Sequence, residues 1–302
     1  MVSFAAMTPH PKSRQPRRVG PGFLVKLAAV RARYTLGSRF APGNTLRHAA
    51  RLFCTPFTSS RTRARAASPE SQAVRRDITV DGVPVATYTW GDPARQPYVL
   101  FSHGWSSFGL RFEPWALALR EAGMAAVAFD QPSHGHSGGH LVTLPEFIAT
   151  LRGVGRHFGE ARAVVGHSLG GAAASLALSQ GLAARRAVLV SPSIDPVAAV
   201  ARFADLVRLH PRLREPLHAQ LTARTGIPIA DLQAAPLLPA LTQPVLVIHD
   251  RDDADVPFSE GEEYARLWPG AEHLWTSGLG HHAILADPGV MARALAFCRT
   301  TP

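Results

Sequence analysis

Val164-Val165-Gly166-His167-Ser168-Leu169-Gly170-Gly171 decides how this chain is read. It has the form G-x-S-x-G, with β-branched residues before it and the Ala-rich stretch Gly170–Gln180 after it. The first part reads as a strand and the last as a helix, so the serine falls on a sharp turn between them. Such a turn leaves little room for side chains, which is why glycines flank it. It also pushes the hydroxyl out at the sheet edge. The same position is a helix N-terminus, where backbone N–H groups and the helix dipole favour developing negative charge. The plain alternative is a helix-capping serine. Ser168 is the candidate nucleophile.

On either side of this turn, short apolar runs alternate with helical stretches. Ile78–Val80 and Val83–Trp90 read as two strands around a turn at Asp81-Gly82. Further strands are expected at Tyr98–Ser102, Ala125–Phe129, Ala163–Gly166, Ala187–Val190, Pro244–His249 and His273–Thr276. Helices are expected at Glu113–Ala122, Leu144–Phe158, Gly170–Gln180, Ser259–Leu267 and Pro288–Cys298. Continuously apolar strands alternating with helices predict an α/β fold, with a mostly parallel sheet covered on both faces. The segment Ser191–Gln243 breaks the rhythm, with helical spacing and no convincing strand. A structureless loop of that length is unusual, so a small helical lid over about residues 194–240 is expected. There is no internal repeat.

The chain has 302 residues, 46% of them hydrophobic, enough for one sizeable core. Its net charge of +10 is unevenly placed. Residues 1–69 hold thirteen Lys or Arg and no acid, whereas 70–302 hold nineteen Arg against twenty-two acids. The body is therefore mildly acidic, and a nucleic-acid-binding surface is not supported. Two cysteines, Cys54 and Cys298, make no disulfide framework. No apolar run is long enough to cross a membrane, and Phe23–Val30, interrupted by Lys26, lacks the form of a secretory signal. A cytoplasmic location is expected. The Arg-rich, Lys-poor composition points to a GC-rich, bacterial coding sequence.

Residues 1–76 form a basic N-terminal arm. Its first part, 1–22, reads as disordered, 23–57 as short basic amphipathic helices, and 58–76 as a linker. Three readings of the arm stand: contact with an anionic membrane surface, packing on the body through Phe53 and Phe57, or a start at Met7 in place of Met1.

From residue 77 to 300 the chain resembles the α/β-hydrolase superfamily. The resemblance rests on Gly166-His167-Ser168-Leu169-Gly170, Phe101-Ser102-His103-Gly104-Trp105, Phe129-Asp130-Gln131-Pro132-Ser133-His134-Gly135-His136-Ser137, Asp250-Arg251-Asp252-Asp253-Ala254-Asp255-Val256-Pro257 and Gly278-Leu279-Gly280-His281. Ser133 stands where the family usually has Gly. The resemblance implies a nucleophile, acid and base in the order Ser168, Asp253, His281. It implies oxyanion donors at the backbone N–H groups of Leu169 and Trp105.

The chemistry requires these residue types. A serine hydroxyl is a poor nucleophile until an adjacent base takes its proton, and the base needs a carboxylate to fix its tautomer. His282 competes with His281 as base, and Asp250, Asp252 and Asp255 compete with Asp253 as acid. Asp250 reads as a turn former and Asp130 as a loop organiser. His103, His134, His136 and His140 show no recognised metal-ligand spacing, so no metal is expected. The glycine patterns make no dinucleotide fingerprint, so no cofactor is expected.

The leading expectation is a serine hydrolase cleaving a carboxylic ester or related acyl bond of an apolar small molecule through an acyl-enzyme. An acyltransferase with the same triad and a non-catalytic binding module of the same fold are the alternatives. The sequence leaves the oligomeric state open.

Overall fold

The computed structural model describes residues 21–300. The expected disorder of the first residues and the choice between Met1 and Met7 lie outside the described part. The arm folds as three helices, α1 (Pro21–Phe40), α2 (Pro42–Phe53) and α3 (Ser59–Ala67). This corrects the expectation of short pieces, because α1 alone runs for 20 residues. The chain turns at Ala41, where Pro42 takes the first position of α2 and cannot continue the preceding helix. Gly37 lets the two helices meet there, since a Cβ on it would strike the Thr45 hydroxyl.

The body follows. It contains β1 (Val74–Val80), β2 (Val83–Trp90), β3 (Tyr98–Ser102), α4 (Glu113–Glu121), β4 (Ala125–Phe129), α5 (Leu144–Phe158), β5 (Ala163–His167), α6 (Leu169–Ser179) and β6 (Ala187–Val190). After β6 come α7 (Pro196–Leu206) and α8 (Arg214–Thr225), then β7 (Val245–Asp250), α9 (Phe258–Leu267), β8 (Glu272–Thr276), α10 (Gly280–Ala283) and α11 (Pro288–Arg299).

The eight strands form one sheet in the order β1-β2-β4-β3-β5-β6-β7-β8. β1 pairs antiparallel with β2, and β2 pairs antiparallel with β4. All other neighbours are parallel. The fold is therefore α/β, as the alternating runs predicted. β1 begins at Val74, inside the expected linker, because Arg75, Arg76 and Asp77 hide a strand signal at this edge. Their backbone pairs with Thr87 to Tyr88 and Ala86 even though their side chains face solvent. The hairpin turn has Asp81 at φ 48° and Gly82 at φ 77°, the geometry that suits a two-residue link between twisted strands.

Alternation along the strands sorts the core into two layers. Tyr98, Leu100, Val127, Val164, Leu189 and Val247 face α5, α6 and α9. Val99, Phe101, Ala128, Val165, Val188 and Ile248 face α4 and α11. Burial on both faces is why these strands read as unbroken apolar runs.

The segment between β6 and β7 is helical, as expected from its spacing. Its α7 and α8 share a third apolar cluster with the arm, in which Tyr34, Ala49 and Cys54 meet Val200, Ala204, Leu217 and Leu221. Phe53 sets its ring edge on Phe203 at 5.2 Å. The arm thus packs on the insertion and makes one layer with it. Glu260 of α9 ties down the start of the insertion by accepting from the Ile194 amide at 2.7 Å and pairing with Arg202 at 2.8 Å.

Candidate active site

Ser168 occupies the turn between β5 and α6, with φ 56° and ψ −124°. Positive φ in a residue with a Cβ carries strain of about 1–3 kcal/mol, held only where the surroundings over-determine it. They do so here through close backbone packing. A Cβ on Gly170 would strike the carbonyls of Ser102 and His103, and one on Gly166 would strike Gly170 itself. The Ser168 carbonyl accepts from the amides of Gly171 and Ala172, and its own amide donates to Val190. The amides of Leu169 and Gly170 stand at the start of α6, where helix geometry leaves N–H groups without intrahelical acceptors.

The loop after β3 lies directly against this turn. A Cβ on Gly104 would sit 2.8 Å from the Ser168 Cβ and 3.3 Å from its hydroxyl oxygen. Trp105 follows, its ring stacked on Phe147 and its neighbour His134 edge-on at 5.5 Å. The indole is thus packed between these two rings.

The loops that carry Asp253 and His281 meet next to the Ser168 turn. His281 Nδ1–H donates to Asp253 Oδ2 at 2.7 Å. The Asp253 carboxylate has no solvent exposure. Burial opposes its charge, but hydrogen bonds from His249, His281 and the Val256 amide win and hold it well below the usual carboxylate range. An ionised carboxylate only accepts, so the proton of the neutral imidazole sits on Nδ1 and the lone pair on Nε2. His282, the rival base, is exposed and faces Asp255 at 3.5 Å.

The other aspartates do different work. Asp250 is buried and accepts from Thr276 Oγ1 at 2.7 Å, the Leu279 amide at 3.0 Å and the Asp252 amide at 3.0 Å. It thereby fastens the acid loop to the histidine loop, more than the single turn expected of it. Asp252 accepts from the Gly278 amide at 2.8 Å. Asp130 holds the amides of Gly109 and His136 and the Tyr88 hydroxyl, each at 2.7 Å.

Two histidines of this site escaped the sequence reading. His167, next to the nucleophile, donates from Nε2 to the His281 carbonyl at 2.9 Å, and the two rings lie 4.7 Å apart. It links the Ser168 turn to His281. Burial and the nearby His281 push it well below the ordinary histidine range, so the ring is neutral. His249 places Nε2 3.1 Å from the Val256 carbonyl and 3.4 Å from Asp253 Oδ2. A titratable ring directly after the apolar run Val245–Ile248, still inside β7, was the available signal.

Two of the histidines weighed as metal ligands, His103 and His134, have committed rings. His103 donates from Nδ1 to the Gly104 carbonyl at 2.7 Å and accepts the Gln131 amide at 3.0 Å. His134 donates from Nδ1 to the Pro132 carbonyl at 2.9 Å and accepts the Ser106 amide at 2.9 Å. Burial, with His103 adding to it, lowers His134 to about 3.

Comparison with known proteins places this geometry in a family. The family described as serine aminopeptidase, S33, matches residues 93–237. Esterase YjfP of Escherichia coli (strain K12) is 30% identical over 227 residues, spanning 67% of this chain and 88% of the relative. An esterase structure from Exiguobacterium antarcticum superposes with TM-score 0.60 at 17% identity, covering 75% of this chain and 100% of that one. A membrane phospholipase A, described as a bacterial virulence factor, superposes with TM-score 0.59 at 18% identity, covering 93% of this chain and 99% of that one. With the sheet order, the ordered motifs and the esterase relative in agreement, the chain belongs to the α/β-hydrolase superfamily and is a hydrolase.

Proposed function

We propose that this enzyme hydrolyses carboxylic esters with apolar acyl groups, using Ser168, His281 and Asp253. The observation that carries the reading is the Asp253–His281 hydrogen bond, joined through His167 to the strained turn that bears Ser168. Ser168 Oγ attacks the ester carbonyl carbon and its proton passes to His281 Nε2. The amides of Leu169 and Trp105 receive the oxyanion. Collapse expels the alcohol, which takes the proton from His281 and leaves an acyl-enzyme. Water, deprotonated by His281, then attacks the acyl carbon, and the acid leaves as Ser168 recovers its proton. Relatives named as esterases support an ester over an amide.

The test is a panel of p-nitrophenyl esters of rising chain length, with an aminoacyl p-nitroanilide beside it, run on wild type and Ser168→Ala. Ester turnover lost in the variant supports the reading, and turnover that survives sinks it. Dominant anilide cleavage would replace the ester reading with an amide one.

A second element of the reading concerns where the enzyme works. Leu24, Val25, Leu36 and Phe40 of α1 are exposed beside Arg31 and Arg39, and residues 1–69 hold no acid. A groove of about 440 Å³ runs between α1 and Arg208. Exposed apolar side chains beside cations suit an anionic lipid surface. The 93% match to the membrane phospholipase A must include much of the arm. No described helix is long and apolar enough to cross a membrane, so the proposed contact is peripheral. Co-sedimentation with phosphatidylglycerol vesicles checks it. Wild type should pellet more than a Leu24→Glu, Val25→Glu variant, and equal pelleting removes the idea.

A further inference from the structure

The arm's most specific contacts are with the loops around Ser168. Ser106, directly after Trp105, has φ 53° and is held at every polar group. Its amide donates to His134 Nε2 at 2.9 Å. Its hydroxyl accepts from the Phe57 amide at 2.8 Å, and its carbonyl accepts from Arg63 at 2.5 Å. The last two partners belong to the arm. The Arg63 guanidinium also lies over the Phe108 ring at 5.6 Å.

Two residues earlier on α3, Arg61 donates to the carbonyls of Ser137 and Gly139 at 3.0 Å each, and to Gly135 at 3.4 Å. That loop carries His134, which in turn holds the Ser106 amide. The Val142 amide donates to the Cys54 carbonyl at 2.9 Å. Two arginines of one helix, two positions apart and so aimed in different directions, therefore grip two separate loops, directly and through His134.

The consequence lies at Trp105. The turn Gly104–Ser107, closed by the Ser107 amide on the Gly104 carbonyl at 3.2 Å, begins against Ser168. Its far side is fixed at Ser106 by the arm. The Trp105 amide lies between these two anchors. A left-handed residue without glycine's freedom at 106 stays in place only while its partners hold it.

We infer that Arg63 and the Phe57 amide are positioning elements of the oxyanion hole, holding Ser106 so that the Trp105 N–H stays aimed at the developing oxyanion. The inference rests on the triad reading above. Neither arm group touches substrate. They act through the backbone of a donor whose loss costs on the order of a hundred- to a thousand-fold in rate. A misaimed donor is a partial loss, so a smaller effect is expected.

The experiment compares full-length wild type, Arg63→Ala, Arg63→Lys, Ser106→Ala and Ser168→Ala on a soluble p-nitrophenyl ester. The readouts are kcat, KM, the inhibition constant of an aryl trifluoromethyl ketone and the thermal unfolding midpoint. The ketone reports on the hole because its serine adduct carries a tetrahedral oxyanion. Arg63→Ala should lower kcat by roughly ten- to a hundred-fold with KM nearly unchanged, and weaken the ketone by a similar factor. Arg63→Lys should recover part of kcat, since an ammonium reaches the Ser106 carbonyl without the planar face that covers Phe108. Ser106→Ala removes the Phe57 acceptor while leaving the arm's sequence intact, and should move kcat and ketone binding the same way.

Folded Arg63→Ala and Ser106→Ala enzymes with wild-type kcat and ketone affinity would overturn the inference. So would a rise in KM alone, or activity loss that merely tracks loss of folded protein. Turnover surviving in Ser168→Ala marks failure of the triad reading instead. A dead Ser168→Ala enzyme beside a wild-type-like Arg63→Ala enzyme marks failure of this inference alone.

Discussion

Asp253 and His281, twenty-eight positions apart in the chain, share a 2.7 Å hydrogen bond in which the carboxylate is wholly shielded from solvent. Asp253→Asn keeps the shape but replaces the acceptor with an amide that can present N–H to the imidazole and select the wrong tautomer. Ester turnover should fall by about 10³–10⁴-fold with the fold retained. Steady-state kinetics and a circular dichroism melt check both halves of this expectation.

Gly104 and Gly170 separate catalytic from structural crowding. A Cβ on Gly104 meets Ser168 itself, whereas one on Gly170 meets the backbone carbonyls of Ser102 and His103. Gly104→Ala should mainly lower kcat, by about ten-fold or more if the loop moves by a few tenths of an ångström. Gly170→Ala should mainly lower the unfolding midpoint, because a strand end and a helix start must separate. Equal effects of the two on both readouts would contradict this division.

His134 makes stability pH-dependent. Its folded value is lowered to about 3 against an unfolded value of about 6.5, so between these the unfolded chain binds the extra proton. Its contribution is fully present above about pH 6.5 and is lost as pH falls toward 3. Acid unfolding should therefore be shallower in His134→Gln than in wild type across that window, by about one proton in the slope. Urea unfolding at several pH values measures the slope, and parallel profiles would rule the assignment out.

Leu217 has no exposure in the cluster joining the insertion to the arm. Leu217→Ala should destabilise this layer by about 2–5 kcal/mol. Limited proteolysis should then cut the arm sooner than the sheet. A variant in which arm and sheet open together would show that the layer is not a separate cooperative unit.

The arm is where sequence and structure part. Its charge was plain from composition, but Arg61 and Arg63 looked like solvated residues of a linker. Their partners are backbone carbonyls 43 to 78 positions away. A backbone carbonyl carries no residue-type signature, so no pattern in the chain announces such a bond. Asp250 shows the same limit, since two of its donors, Thr276 and the Leu279 amide, lie 26 and 29 positions away. The edge strand β1 was shortened because Arg75, Arg76 and Asp77 contribute pairing through the backbone alone.

The amino-acid sequence by itself determined the local pieces of this protein. Strands buried on both faces must be apolar throughout, and a serine on a tight strand-to-helix turn must be flanked by glycines. Both constraints act over a few neighbouring residues and so can be read directly. Only the tertiary structure decided that His167 contacts His281, that His249 contacts Asp253, and that the basic arm grips the loop beside Ser168. Those relationships depend on where distant backbone groups come to rest once the sheet has closed and the insertion has packed. The pairing free energy is local in space but carries no periodicity along the chain.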